Sequence, residues 1–304
     1  MPSNILDPDV LAKVGRLDLQ AKFIVEGFLS GMHRSPFKGI SVEFAQHRGY
    51  VPGDDLKHID WKVWGKSERY YIKQYEAETN LVCTIVVDTS TSMRYVGDKA
   101  HNRLSKGAWA KLAAAALSYL VLSQSDAVAL ATFSDGLDEW LPKSSNRNNL
   151  HRICDILEKA PEKQRTSIGD ALQTVAERMP RRGIVMVFSD LFDDVNTLLK
   201  GLQRLRHTGH EVVVVQILDP DELDIPFEGM IQFKGLEGTD MALCHPRSIK
   251  KAYQEEVHKH LTAVKAACRR NNIDFVSADT RTAVDMVLTA YMAHREHAAQ
   301  SGAR

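Results

Sequence analysis

Apolar positions along the chain gather into short continuous blocks separated by longer stretches with helical spacing. The blocks Leu81 to Val87, Ala127 to Phe133, Gly183 to Phe188, Glu211 to Leu218 and Ile273 to Ser277 are rich in β-branched residues. A strand with one wet face alternates polar and apolar residues, so runs of this kind read as strands covered on both faces. Between them, the alanine- and leucine-rich stretch Leu104 to Gln124, Asn149 to Lys159, and Ile168 to Met179, closed by Pro180, read as helices. Such alternation predicts an α/β fold with a mostly parallel, doubly wound sheet flanked by helices.

The first eighty residues follow a different pattern. Leu17, Ala21, Ile24, Val25, Phe28 and Met32 recur at helical spacing, which predicts an amphipathic helix. A turn-rich segment follows, from Pro36 through Pro52-Gly53-Asp54-Asp55 to Tyr71. This part is small for a core of its own, so residues 1–80 are expected to form an extension packed on a main domain at 81–296. Glycines and prolines around Met230-Ile231-Gln232-Phe233 predict a hairpin inserted near 220–246, and residues 297–304 are expected to be a disordered tail.

Composition narrows the function classes. The chain has 304 residues, 44% of them hydrophobic, and 39 basic residues balance 39 acidic ones, so no overall charge recruits nucleic acid or an anionic membrane. Cys83, Cys154, Cys244 and Cys268 form no CxxC pair, which argues against zinc ribbons and redox dithiols and suits a reducing cytoplasm. The most membrane-like run, Leu112 to Leu122, falls short of the roughly 20 apolar residues a bilayer requires. Met1-Pro2-Ser3-Asn4, with acids close behind and no continuous apolar core, is not expected to open a signal peptide. The expectation is a cytoplasmic protein without membrane insertion.

Candidate chemistry lies where the first long block ends. Val87 is followed by Asp88-Thr89-Ser90-Thr91-Ser92, a DxSxS pattern that places one carboxylate and two alcohols at a strand end. Every donor is oxygen, which suits a hard divalent cation such as Mg2+, with Mn2+ as the alternative, better than zinc or copper. Thr166 in Arg165-Thr166-Ser167 and Asp190, which closes Val185-Met186-Val187-Phe188-Ser189, supply further oxygens. Asp88, Ser90, Ser92, Thr166 and Asp190 are therefore the candidate metal ligands. In parallel sheets, ligands sit beyond the carboxyl ends of strands, near the point where strand order reverses. Asp88 and Asp190 both occupy such ends.

The set Asp88, Ser90, Ser92, Thr166, Asp190, in that order, resembles the metal-ion-dependent adhesion site of von Willebrand factor A domains. Upstream, Glu43-Phe44, Arg48-Gly49-Tyr50-Val51-Pro52-Gly53-Asp54-Asp55 and Ile59-Asp60-Trp61 resemble the bacterial domain-of-unknown-function family number 58. Glu76, Lys106, Asp126 and Phe133-Ser134-Asp135 extend that likeness. Lys57, Gly65-Lys66 and Ala127 depart from the family's usual residues, away from the candidate ligands. The resemblance implies a von Willebrand factor A-like fold. It also implies work alongside a MoxR-type AAA+ ATPase in maturation or remodelling of client proteins, which would offer an Asp or Glu to the metal. In the adhesion sites it resembles, the positions matching Ser90 and Ser92 coordinate directly.

A plainer reading of Asp88, Ser90 and Ser92 is that they cap a helix and order a loop through backbone amides. Likewise Arg48, Asp54, Asp55, Asp60 and Trp61 read first as a turn with packing, and only second as a recognition surface. His258 and His260, two apart on an expected helix, face different ways, and His207 and His210 have no acid or cysteine pattern beside them. The leading expectation is a non-enzymatic, metal-dependent protein-interaction module. A Mg2+- or Mn2+-dependent phosphoesterase with Asp88 as nucleophile and a metal-free scaffold are the alternatives. Against the enzyme, Ser90 stands where aspartyl-phosphate phosphatases carry a second acid, and no GxxxxGK[ST] loop occurs.

Overall fold

The computed structural model describes residues 16–34, 47–49, 65, 71–73, 81–97, 104–160, 168–179, 182–236, 241–281 and 283–302. The chain divides into two units, Met1–Ser30 with Leu81–Arg304, and Gly31–Asn80. Helix α1 (Leu17–Arg34) begins in the larger unit. In the smaller unit, β1 (His47–Gly49) pairs antiparallel with β2 (Tyr71–Lys73), His47 opposite Lys73.

The larger unit contains, in chain order, β3 (Val82–Asp88), α2 (Lys106–Ser123), β4 (Ala127–Phe133), β5 (Leu137–Ser144), α3 (Asn149–Lys159), α4 (Ile168–Arg178), β6 (Ile184–Ser189), α5 (Val195–His207) and β7 (Glu211–Leu218). It continues through α6 (Pro220–Asp224), the antiparallel hairpin β8 (Ile231–Lys234) and β9 (Met241–Cys244), α7 (Pro246–Arg270), β10 (Asp274–Asp279) and α8 (Asp285–Gly302). The main sheet runs β10-β7-β6-β3-β4-β5, parallel throughout except for β5, which lies antiparallel to β4 at the edge. This is the expected α/β architecture, a mostly parallel, doubly wound sheet flanked by helices.

Every residue of β3 and β6 is buried, as strands covered on both faces require. One face packs against α4, α5 and α7 through residues such as Leu172, Leu198, Leu202 and Val264. The other face meets α2, a helix buried almost all round, with Trp109, Leu117 and Leu120 fully enclosed. Ser105 caps α2, its hydroxyl accepting a hydrogen bond from the Ala108 amide at 3.1 Å. Ser105→Ala is expected to cost about 1 kcal/mol, visible as a lower urea midpoint with an unchanged slope.

Several elements depart from the sequence reading. Strand β5 carries Asp138, Glu139, Pro142 and Lys143, so its pattern hides a strand. Charge and proline are tolerated there because, among the described residues, no further strand pairs with the outer edge of β5. In α1, Ala21, Ile24 and Val25 are buried as expected, and Asp18 contacts His151 of α3 at 3.2 Å, so the first part of the extension belongs to the larger unit. The inserted hairpin is present, opened by the short helix α6. Helix α8 runs to Gly302, past His297, where a disordered tail was expected. Among the described residues, no helix is long and apolar enough to cross a membrane.

Candidate metal centre

Counted from β3, the main sheet has the order 3-2-1-4-5-6, and the direction of winding reverses between β3 and β6. Ligand crevices form at such a point because the loops leaving the two strands diverge to opposite faces. Val86 faces Val187 and Val87 faces Phe188 in the parallel register. Asp88 and Asp190 therefore leave the sheet side by side, and both are 1% exposed.

Hydrogen bonds hold the two acids. The Ser90 amide donates to Asp88 Oδ1 at 2.9 Å, and the Ser189 hydroxyl donates to Asp88 Oδ2 at 2.6 Å. Ser90 Oγ and Ser92 Oγ lie 3.0 Å apart. Thr89 anchors the same turn to the end of β4, its amide and hydroxyl donating to the Phe133 carbonyl at 2.8 and 3.0 Å. On the neighbouring loop, the Phe192 amide donates to Asp190 Oδ1 at 3.2 Å. Leu191 between them has φ +62°, a left-handed conformation unfavourable for a branched side chain. The Ser189 hydroxyl accepts from its amide at 3.0 Å, and the His260 ring donates to its carbonyl at 2.9 Å, which holds it there.

A cation is already supplied by the chain. Lys106, at the start of α2, is fully buried and donates from Nζ to Asp190 Oδ2 at 2.8 Å and to Glu222 Oε1 at 2.6 Å. The Phe192 ring lies 5.6 Å from Nζ and the Tyr95 ring 6.0 Å, close enough for cation–π attraction. Burial alone would lower the pKa of Lys106, but the charges of Asp190 and Glu222 outweigh it and hold the ammonium above its ordinary value. Among the described residues, no cationic side chain pairs with Asp88. Burial, with the Asp190 charge added, pushes its carboxyl up to about 7 despite the hydrogen bonds from Ser189 and Ser90.

The donor set fits a hard divalent cation. Two ligands in adjacent octahedral positions around Mg2+ lie about 2.9 Å apart for metal–oxygen distances of about 2.05 Å, close to the Ser90–Ser92 separation. Within the described residues, Asp88 accepts hydrogen bonds from the Ser189 hydroxyl and from the amide and hydroxyl of Ser90, and Asp190 accepts from the Phe192 amide and Lys106, which leaves lone pairs on the two carboxylates for a metal. Among the described residues, no three His, Cys, Asp or Glu converge on a metal position, so hydroxyls are needed to complete a shell. A cavity of about 350 Å³ opens beside Asp88 and Ser90 and is lined also by Met93, Arg94, Ser105 and Lys111.

Four of the five sequence-predicted ligands thus lie within described segments, with Asp88, Ser90, Ser92 and Asp190 on the adjoining loops after β3 and β6. Thr166 lies outside the described residues, as do Asp54, Asp55, Asp60, Trp61, Glu76 and the Arg48 side chain. Sequence reasoning missed the contributions of Ser189, Glu222 and Lys106. The available signal for Lys106 was its place in the family likeness, at the first position of an alanine- and leucine-rich helix. His260 serves the Leu191 carbonyl, whereas His258 faces solvent. His210, in the turn between α5 and β7, is buried, and its carbonyl accepts a hydrogen bond from Arg206 at 2.8 Å.

Residues 46–263, well over half of the chain, match the family described as Protein of unknown function DUF58. The chain belongs to the DUF58 family. Curated relatives include uncharacterised proteins of Mycobacterium tuberculosis and Mycobacterium bovis, each 25% identical over 270 residues, covering 88% of this chain and 82% of theirs. Solved structures similar to this DUF58 chain include the conserved hypothetical protein BatB from Bacteroides thetaiotaomicron, at 18% identity and TM-score 0.42, covering 69% of this chain and 98% of that one. Another is an aerotolerance-related membrane protein from Bacteroides fragilis, at 19% identity and TM-score 0.46, covering 69% and 97%. A third is the SpRpn10 VWA domain, at 11% identity and TM-score 0.39, covering 68% and 93%.

Proposed function

We propose that this DUF58 protein is a non-enzymatic interaction module that binds Mg2+ or Mn2+ at the β3–β6 edge and, with the metal, a carboxylate of a partner protein. The carrying observation is the meeting of Asp88 and Asp190 at the strand-order reversal, with the Ser90 and Ser92 hydroxyls 3.0 Å apart beside them. Asp88, Ser90, Ser92 and Asp190 would hold the ion, with Thr166 as the remaining proposed ligand. The bound ion would supply an electrophilic position for an incoming Asp or Glu. Arg94 and Lys111 on the adjacent cavity favour an anionic visitor. The partner class implied by the family resemblance is a MoxR-type AAA+ ATPase, with client proteins as further carboxylate donors, in a cytoplasmic setting.

The test is calorimetric titration of chelator-stripped protein with Mg2+ and Mn2+, beside an Asp88→Ala variant whose fold is checked by circular dichroism. Saturable binding in the wild type, weakened at least about tenfold in the variant, is the expected result, since one charge-bearing ligand is lost. Equal binding by both proteins, or none by the wild type, would overturn the proposal. Turnover of a phosphoester panel with either metal would favour a hydrolase instead.

A further inference from the structure

We infer that Lys106 is a built-in counter-ion that tunes the candidate metal centre, lowering its affinity for the divalent ion and leaving the loaded site receptive to a carboxylate. This rests on the metal-binding reading above. Its own basis is the ammonium at the meeting of three loops. Asp190 and Phe192 reach it from the loop after β6, Glu222 from α6 after β7, and Tyr95 from the turn after β3. The Lys106 side chain is 1% exposed, so its charge is poorly screened by water and acts directly on neighbouring groups.

Asp190 and Glu222 both pair directly with Lys106, so the ammonium cancels one of the negative charges that this buried acidic cluster, which also holds Asp88, would otherwise present to a divalent ion. A loaded centre with less negative charge accepts a further carboxylate more readily. Lys106 also occupies one lone pair of Asp190 Oδ2 and competes with the metal for that oxygen. A solvated lysine on the helix surface would do neither, because water would screen it.

Two substitutions of opposite sign test this, each read as a Kd for Mg2+ and for Mn2+ by calorimetry. Lys106→Met removes the positive charge while keeping most of the apolar stem, and should tighten metal binding by about tenfold or more. Glu222→Gln removes a negative charge and should weaken binding by a similar factor, about tenfold. A purely structural role for Lys106 would weaken binding in both variants or leave it unchanged, and either pattern overturns the inference. If Lys106→Met does not fold, Lys106→Gln, which keeps a hydrogen-bond donor without the charge, decides in its place: tighter binding supports the counter-ion, and unchanged or weaker binding counts against it. Equal, saturable binding in all three proteins would sink the counter-ion and leave the metal reading standing. Absence of binding in all three removes both.

Discussion

Asp88→Asn is expected to make the metal-free protein more stable at pH 8, by about 2 kcal/mol, with the gain shrinking as the pH falls towards 5. The reason is the raised carboxyl of Asp88, at about 7 in the folded protein and near 3.9 when unfolded. Between those values the folded chain holds a proton that the unfolded chain has released. Stability contributed by that proton is fully present below about pH 4 and is lost as the pH rises through about 7. Above that, the wild type keeps an ionised carboxylate buried beside Asp190, and asparagine removes the charge. Part of the gain is returned because the Ser189 hydroxyl, which donates to Asp88 Oδ2 at 2.6 Å, would face a donating NH2 there and must turn its hydrogen away. Urea midpoints at pH 5 and pH 8 check this, and an asparagine variant with no advantage at pH 8 would show that burial does not penalise the charge. Saturating Mg2+ should reverse the ranking at pH 8, since the ion compensates the carboxylate that asparagine lacks.

Gly169→Val is expected to cost about 3 kcal/mol or more, through the crossing of α4 and α5. A Cβ at Gly169 would sit 2.3 Å from the Thr197 carbonyl oxygen and 2.6 Å from Thr197 Cγ2. Gly201 answers from the other helix, its Cβ position 2.7 Å from the Gly169 carbonyl. Two backbones in contact cannot yield by changing a rotamer, so the helices would have to separate and lose the packing of Leu172 against Leu198 and Leu202. The damage should reach the candidate site. The amide of Ile168, first residue of α4, donates to Asp193 on the Asp190 loop at 3.0 Å. Chemical denaturation measures the stability loss, and a metal titration of the folded fraction should show weaker binding. A variant with wild-type stability would mean that the helices can part without penalty.

Much of the sheet was legible because a strand buried on both faces needs an unbroken apolar run, whatever lies beside it. Ala127–Phe133 and Glu211–Leu218 fall where the pattern places them. Strand β5 was not legible, since an edge strand keeps charge and even Pro142. The candidate ligands Asp88, Ser90 and Ser92 could be read together because they are neighbours in the chain. Asp190 could be named as an acid at a strand end, but its place beside Asp88 depends on β6 pairing with β3.

The sequence by itself determined the strands buried on both faces, the oxygen-rich turn after β3 and the residues that carry the DUF58 signature, because periodicity, propensity and motif spacing act over a few residues. The tertiary structure decided which strands became neighbours, and therefore that Asp88 meets Ser189 across 101 residues. It also decided that Lys106 meets Glu222 across 116 residues, turning a helix-start lysine into a buried counter-ion. Contacts of that range are set by the packing of the whole sheet and its covering helices, and no local pattern encodes them.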